Sequence, residues 1–225
     1  MNDQMLPQRV RLFIFEHFLE HGAPPVVEAV MRAFSLSREA ATDVLRDLET
    51  ARHIALVPGT ARILMAFPFS AVATPFRTTV RGRTYYANCA WDAIAFHAML
   101  DADIHVESFC HHCAAPIHVE LGGSALDVEP KEALVYLALP PAQWWTDIVT
   151  TCSNTMVFFA SPDHRDASDL CAPPTSAASL TPQQVDALSG PIYARKFAID
   201  YARPSKDELL EHFAALGLTG DYWKL

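Results

Sequence analysis

The apolar residues of this chain change their period near Pro75, and that change limits what it can fold into more than any other feature. Before it, Val10, Phe13, Ile14 and Phe18 recur at helical spacing, and Val26 to Phe34 forms a second short helix after Pro24-Pro25. Ser37 is placed to cap a third helix, in which Ala41, Val44, Leu45 and Leu48 face inward. After Pro75, Phe76 to Ala87 reads as one or two strands about the turn Arg81-Gly82-Arg83, and Ala90 to Leu100 as a helix. Ile104 to Phe109, Ile117 to Leu121 and Ala133 to Leu139 read as strands, the last two separated by a turn at Gly122-Gly123. Pro140-Pro141 opens a short helix containing Trp144, Trp145 and Ile148. Ala172 to Leu180, rich in Pro, Ser, Thr and Ala, reads as a mobile surface loop. Thr181-Pro182 starts a helix, Ile192 to Tyr201 forms another, and Ser205-Lys206-Asp207-Glu208 is a capping box for a last one reaching about Leu216. No internal repeat is present. The expected class is α+β: a helical domain over residues 1–70, then a mixed α/β core over 71–225 with a small sheet and C-terminal helices.

Three helices followed by a hairpin about Pro58-Gly59 have the form of a winged helix-turn-helix. Nucleic-acid binding would run through the third helix, where Arg38, Arg46 and Arg52 face Glu39, Asp43, Asp47 and Glu49. Residues 1–70 carry seven Lys and Arg against eight Asp and Glu, and the whole chain has a formal net charge of −9. A DNA-reading face is ordinarily basic, so the favoured reading is a helical module docked against the second domain.

With 51% hydrophobic residues, the chain can bury a substantial core. No apolar run approaches the roughly 18 residues of a membrane span. Met1 to Leu19 carries Asp3, Arg9, Arg11 and Glu16 without a small-residue cleavage site. The expectation is a cytoplasmic, unprocessed protein with no membrane partner. Five cysteines in a reducing compartment favour free thiols or metal ligands over a disulfide framework.

Asn88-Cys89-Ala90-Trp91 runs directly into Asp92 at the expected start of a helix, and the three-residue spacing sets the Cys89 thiol and the Asp92 carboxyl on one face. A second thiol, Cys152, precedes the strand-like run Met156-Val157-Phe158-Phe159. Two soft sulfur ligands and one proton donor suit a thiophilic metal. Taken singly, each has an ordinary explanation: a buried Cys is usually a small hydrophobe, and an acidic first-turn residue complements the helix dipole. Cys110-His111-His112-Cys113 is a CxxC, but no second CxxC or HxxxH completes a zinc site, so a permanent zinc ion is the less favoured reading. Cys171 lies in a proline-flanked loop and reads as incidental. Trp91, Trp144, Trp145, Phe158 and Phe159 read individually as core, although an apolar lining would suit alkyl and aryl groups on a metal.

Taken together, Tyr86-Ala87-Asn88-Cys89-Ala90-Trp91-Asp92, Cys110 followed by Ala115-Pro116, and Cys152 ahead of Phe158-Phe159-Ala160-Ser161 resemble the organomercurial (alkylmercury) lyase family over most of the chain. The resemblance implies a winged-helix-like N-terminal domain before a mixed catalytic core. It places the family's catalytic trio on Cys89, Cys152 and Asp92, and makes Cys110 structural. The implied reaction is protonolysis of a carbon–mercury bond, giving a hydrocarbon and Hg(II) held by the trio. No cofactor is required, exogenous thiols remove the product, and a mercuric reductase is a possible recipient of the ion.

The chemistry is arguable without the family. A carbon–mercury bond breaks when soft, electron-rich ligands load the metal and the carbon receives a proton. A helix N-terminus would favour the Cys89 thiolate, while like charge and partial burial would raise Asp92 and keep a proton on it. Two rival readings stand beside this one. The first is a thiol-based metal sensor whose helical domain binds DNA. The second is a relative with a metal-carrier role that has lost lyase activity.

Overall fold

The computed structural model describes residues 5–122, 125–170 and 176–225. Three helices, α1 (Leu6–His21), α2 (Val27–Phe34) and α3 (Arg38–Thr50), open the chain, and Ser37 caps α3 by accepting from the Ala40 amide at 3.1 Å. They lead into a three-stranded antiparallel sheet of β1 (Ala55–Leu56), β2 (Ile63–Ala66) and β3 (Phe69–Ser70). A turn around Gly59 joins β1 to β2.

The second part contains two antiparallel sheets rather than one. The larger has the order β5-β4-β6-β7-β8, built from β4 (Arg77–Val80), β5 (Arg83–Tyr86), β6 (Ile104–Phe109), β7 (Pro116–Gly122) and β8 (Ala125–Glu129). The smaller runs β10-β9-β11, from β9 (Leu134–Leu137), β10 (Met156–Phe159) and β11 (Ala178–Leu180). Helix α4 (Ala90–Leu100) crosses between these elements, and every residue from Ala90 to Phe96 is buried, as a helix enclosed on all sides requires. Thr78 on β4 donates to the Ala93 carbonyl, pinning α4 to the large sheet. The short helices α5 (Ile148–Thr150) and α6 (Pro162–Asp166) flank β10, and α7 (Pro182–Tyr193) and α8 (Lys206–Ala215) finish the chain. Full capping boxes at Thr181 and Ser205 start α7 and α8. Helix α7 lies along α4, tied by Trp91 Nε1 to Ser189 Oγ (2.8 Å) and by the His97–Asp186 pair (2.8 Å).

Several expectations need correction. Between the two strands expected on either side of Gly122-Gly123 the chain adds β8, which begins at Ala125, Gly123 lying outside the described residues. Only Val128 of its five residues is buried, as suits an edge strand that pairs with β7 alone. The loop expected over Ala172 to Leu180 lies partly outside the described residues, as does Cys171, but its end is β11, zipped onto β9. The helix expected over Ile192 to Tyr201 is absent: α7 stops at Tyr193 and the chain continues as three-residue turns. Arg11 on α1 explains the change. Its guanidinium, buried in the core, donates to the carbonyls of Lys196, Ala198 and Ile199, which a continuing helix would have turned inward along its own axis.

That arginine also ties the N-terminal helices to the rest of the chain. Arg83 and Tyr85 on β5 donate to the carbonyls at the end of α1, and the apolar core runs without a break from Val10 to Trp223. On α3, Arg38 pairs with Glu28 and Arg46 with Asp43, while Arg52, expected on that helix, lies just past its end and 5.1 Å from the Trp145 ring centre.

Candidate active site

Cys89 occupies the N-cap of α4, where Ser, Thr, Asp or Asn is usual, and its sulfur accepts the Asp92 amide at 3.3 Å. The cap therefore fixes both side chains at once: it holds Sγ against the first turn and turns the Asp92 carboxyl to the same side. Cys152 arrives from a different element. Asp147 caps α5 through the Thr150 amide (3.0 Å), and the chain then widens into a π-helical turn, Thr151–Thr155, that carries Cys152 inward before β10 begins. The donor atoms of Cys89, Asp92 and Cys152 all lie within 4.8 Å of one another, and all three residues are buried.

Two further residues complete the surroundings of Asp92. Tyr193, the last residue of α7, donates its phenolic hydrogen to Asp92 Oδ1 at 2.6 Å. Asn88 donates to Oδ2 at 3.1 Å and to the Pro68 carbonyl at 3.0 Å. Burial pushes the Asp92 carboxyl above its ordinary value, against the opposing pull of Tyr193, the Lys196 ammonium, Asn88 and Cys89. Of the two causes expected from sequence, burial supplies the shift and like charge does not. Burial pushes Cys89 far up, with its hydrogen bond to Cys152 and the Asp92 charge adding to it, and the Asp92 amide only partly opposing. The helix terminus thus fails to make Cys89 the ready thiolate expected from sequence. At Cys152 the bond from Cys89 favours the thiolate, yet burial and Asp92 together hold it above an ordinary thiol. At all three positions burial favours the uncharged form, thiol or carboxylic acid.

The trio forms the floor of a cavity of about 330 Å³. Trp91, Trp144, Trp145, Ile148, Ile192 and Phe213 give it an apolar wall. Phe158 and Phe159 lie in the core on β10 and do not line it. Trp145 lies between Arg52 and Arg203, each guanidinium within 5.1 Å of its ring centre, so the turn after α3 contributes to the cavity rim.

Over residues 69–194, more than half of its length, the chain matches the family model described as alkylmercury lyase. It belongs to the alkylmercury lyase family. The alkylmercury lyase of Bacillus cereus is 33% identical over 93 residues, 41% of this chain and 42% of that protein. That of Streptomyces lividans is 35% identical over 91 residues, 40% of this chain and 41% of that protein. The matched segment thus spans about two fifths of these relatives. The fold resembles the crystal structure of the mercury-bound form of MerB2, with a TM-score of 0.70 at 18% identity, over 88% of this chain and 93% of that one.

Tyr193 and Lys196 went unnoticed in the sequence. Lys196 is buried, donates to the Phe67 carbonyl and lies 4.4 Å from the Tyr193 ring centre. Nothing local marks either residue, since their importance comes from where α7 ends. Asn88 stood within the motif, but a short amide has many local uses and its role needed the fold.

Proposed function

We propose that this protein cleaves carbon–mercury bonds in organomercurials by protonolysis, releasing a hydrocarbon and retaining Hg(II) on Cys89 and Cys152 with Asp92 beside it. The observation that carries this reading is the convergence of two buried thiols and one buried carboxyl on the floor of an apolar-walled cavity, in a chain of the alkylmercury lyase family.

A site in which burial favours the uncharged forms suits a neutral R–Hg–thiolate, whose entry adds no unpaired buried charge. As mercury binds, the soft metal takes each sulfur and displaces its proton, because metal coordination offsets the burial that held the proton in place. Of the two protons, one passes through Asp92 to the departing carbon and becomes the new C–H bond. The other leaves with the displaced thiolate. The carbon–mercury bond is the only bond to carbon that breaks, and mercury stays divalent. Tyr193 and Asn88 hold the carboxyl in place and stabilise it once it has given up its proton.

Cellular thiols, with a mercuric reductase as the final recipient, would draw the ion off. All described cysteines are free, in keeping with work in the reducing cytoplasm. Among the described residues, no helix is long and apolar enough to cross a membrane. In this reading residues 1–70 are a winged-helix-like module and 71–225 the catalytic domain. The module supports the cavity rim through Arg52, and the α3 arginines Arg38 and Arg46 are paired with local carboxylates, which disfavours a DNA-binding sensor. The test is incubation of the purified protein with methylmercury or phenylmercury and excess thiol. Methane or benzene above the protein-free control is expected, and mercury bound without hydrocarbon would overturn the reading.

A further inference from the structure

Away from the buried trio, the CxxC loop finds the partner that the sequence lacked. His164 on α6 brings Nδ1 to 3.6 Å from Cys110 Sγ and 3.5 Å from Cys113 Sγ, across 51 positions of chain from the latter. All three donor atoms fall within 4.8 Å of one another. In a tetrahedral zinc site with Zn–S of about 2.3 Å and Zn–N of about 2.0 Å, the sulfur–nitrogen edge is about 3.6 Å. Two thiols equidistant from one ring nitrogen are poorly explained by hydrogen bonding, because Nδ1 has a single lone pair or a single proton and can serve only one of them fully. A cation among the three satisfies all of them.

We propose that Cys110, Cys113 and His164 form a second metal site, which takes a soft divalent cation, Zn(II), through two thiolates and an imidazole, with its fourth position open to solvent. The loop is shaped for it. Ala114 takes a left-handed φ of 59°, and Cys110 and Ala115 close the turn through a 2.8 Å backbone bond, so both sulfurs face the same side. The amides of Ala160, Cys113 and His112 point at the Cys110 sulfur, the arrangement that stabilises a metal-bound thiolate. Access differs from that of the trio: Cys113 is exposed, and the exposed His112 ring lies 5.5 Å from His164. The bound ion clasps the β6–β7 connection to α6 around β10, where His111 already bonds to the Phe158 carbonyl at 2.9 Å. Cys152 lies before β10 and His164 after it, so the two sites occupy opposite ends of that strand.

The experiment is cobalt(II) and zinc(II) titration of the chelator-treated full chain carrying Cys89→Ser and Cys152→Ser, which removes the trio's thiols. One cobalt per chain is expected, with a thiolate-to-cobalt charge-transfer band in the near ultraviolet that zinc abolishes. Adding Cys113→Ser or His164→Ala should weaken binding at least tenfold. Zinc should raise the thermal midpoint of the starting protein and not of these variants. Cys113 is exposed, so Cys113→Ser in the otherwise natural chain gives the same comparison where the double variant folds poorly, as the loss of one bound equivalent. No thiolate band, or a band unchanged by Cys113→Ser, would overturn the proposal. Neither result bears on carbon–mercury cleavage, which is read from hydrocarbon release.

Discussion

The phenol of Tyr193 donates a 2.6 Å hydrogen bond to Asp92 across 101 positions of sequence, from the last residue of one helix to the first turn of another. The bond favours the carboxylate, whereas burial favours the acid, and burial prevails. Tyr193 itself stays a donor, because burial and the Asp92 charge hold its own proton firmly.

Tyr193→Phe removes that donor while keeping the ring. The Asp92 value should then rise further, so the alkaline limb of the pH–rate profile for hydrocarbon release should move to higher pH. A limb that stays in place, or moves down, would show that Tyr193 does not govern the proton on Asp92.

Asp92→Asn separates proton delivery from metal capture. The side chain keeps its size, both thiols remain, and the buried Asn88 Oδ1, which has no partner, can accept from the new amide after a flip. Organomercurial binding should survive while hydrocarbon release falls roughly 100-fold or more, the usual weight of a general acid. Cys89→Ser should abolish both. Bound mercury and evolved hydrocarbon measured in the same samples decide the matter, and near-normal release by Asp92→Asn would make the carboxyl structural.

The same variant should change the pH dependence of stability. A carboxyl raised on folding contributes stability that is complete below its ordinary value near 4 and is lost as pH rises through the higher folded value. Asp92→Asn should therefore melt several degrees above the natural protein at neutral pH, with the gap closing as pH falls toward about 4. Thermal midpoints across this range would check it, and a gap that does not vary with pH would contradict the assignment.

Cys113→Ser should leave hydrocarbon release nearly intact, because Cys113 is exposed and lies outside the cavity. Loss of turnover in a normally folded variant would mean that the wrong thiol pair has been assigned.

Arg11→Ala should destabilise the chain by about 3 kcal/mol, since it removes a large buried side chain and leaves the buried Lys196 carbonyl, and the half-buried bonds to Ala198 and Ile199, without their donor. A urea midpoint measured by circular dichroism would check it. A change under 1 kcal/mol would show that the N-terminal helices are not anchored through this residue.

The sequence by itself determined what short-range physics controls. Ser37, Thr181 and Ser205 mark helix starts because a cap and the amide it serves are three residues apart, and the bounds of β6 follow from its alternating apolar residues. The pairing of Cys89 with Asp92 was legible for the same reason, being one helical turn. Only the tertiary structure decided the rest. Strands β8 and β11 exist because a neighbour offers an edge, and the helix expected past Tyr193 ends because Arg11 claims its carbonyls. The direction of the Cys89 shift could not be read from its helix terminus, since burial is a property of everything packed around it. His164 reaches the CxxC loop, and Tyr193 reaches Asp92, through contacts that leave no periodic trace in the chain; a spacing rule sees neighbours along the backbone, and these partners meet only after separate elements have packed.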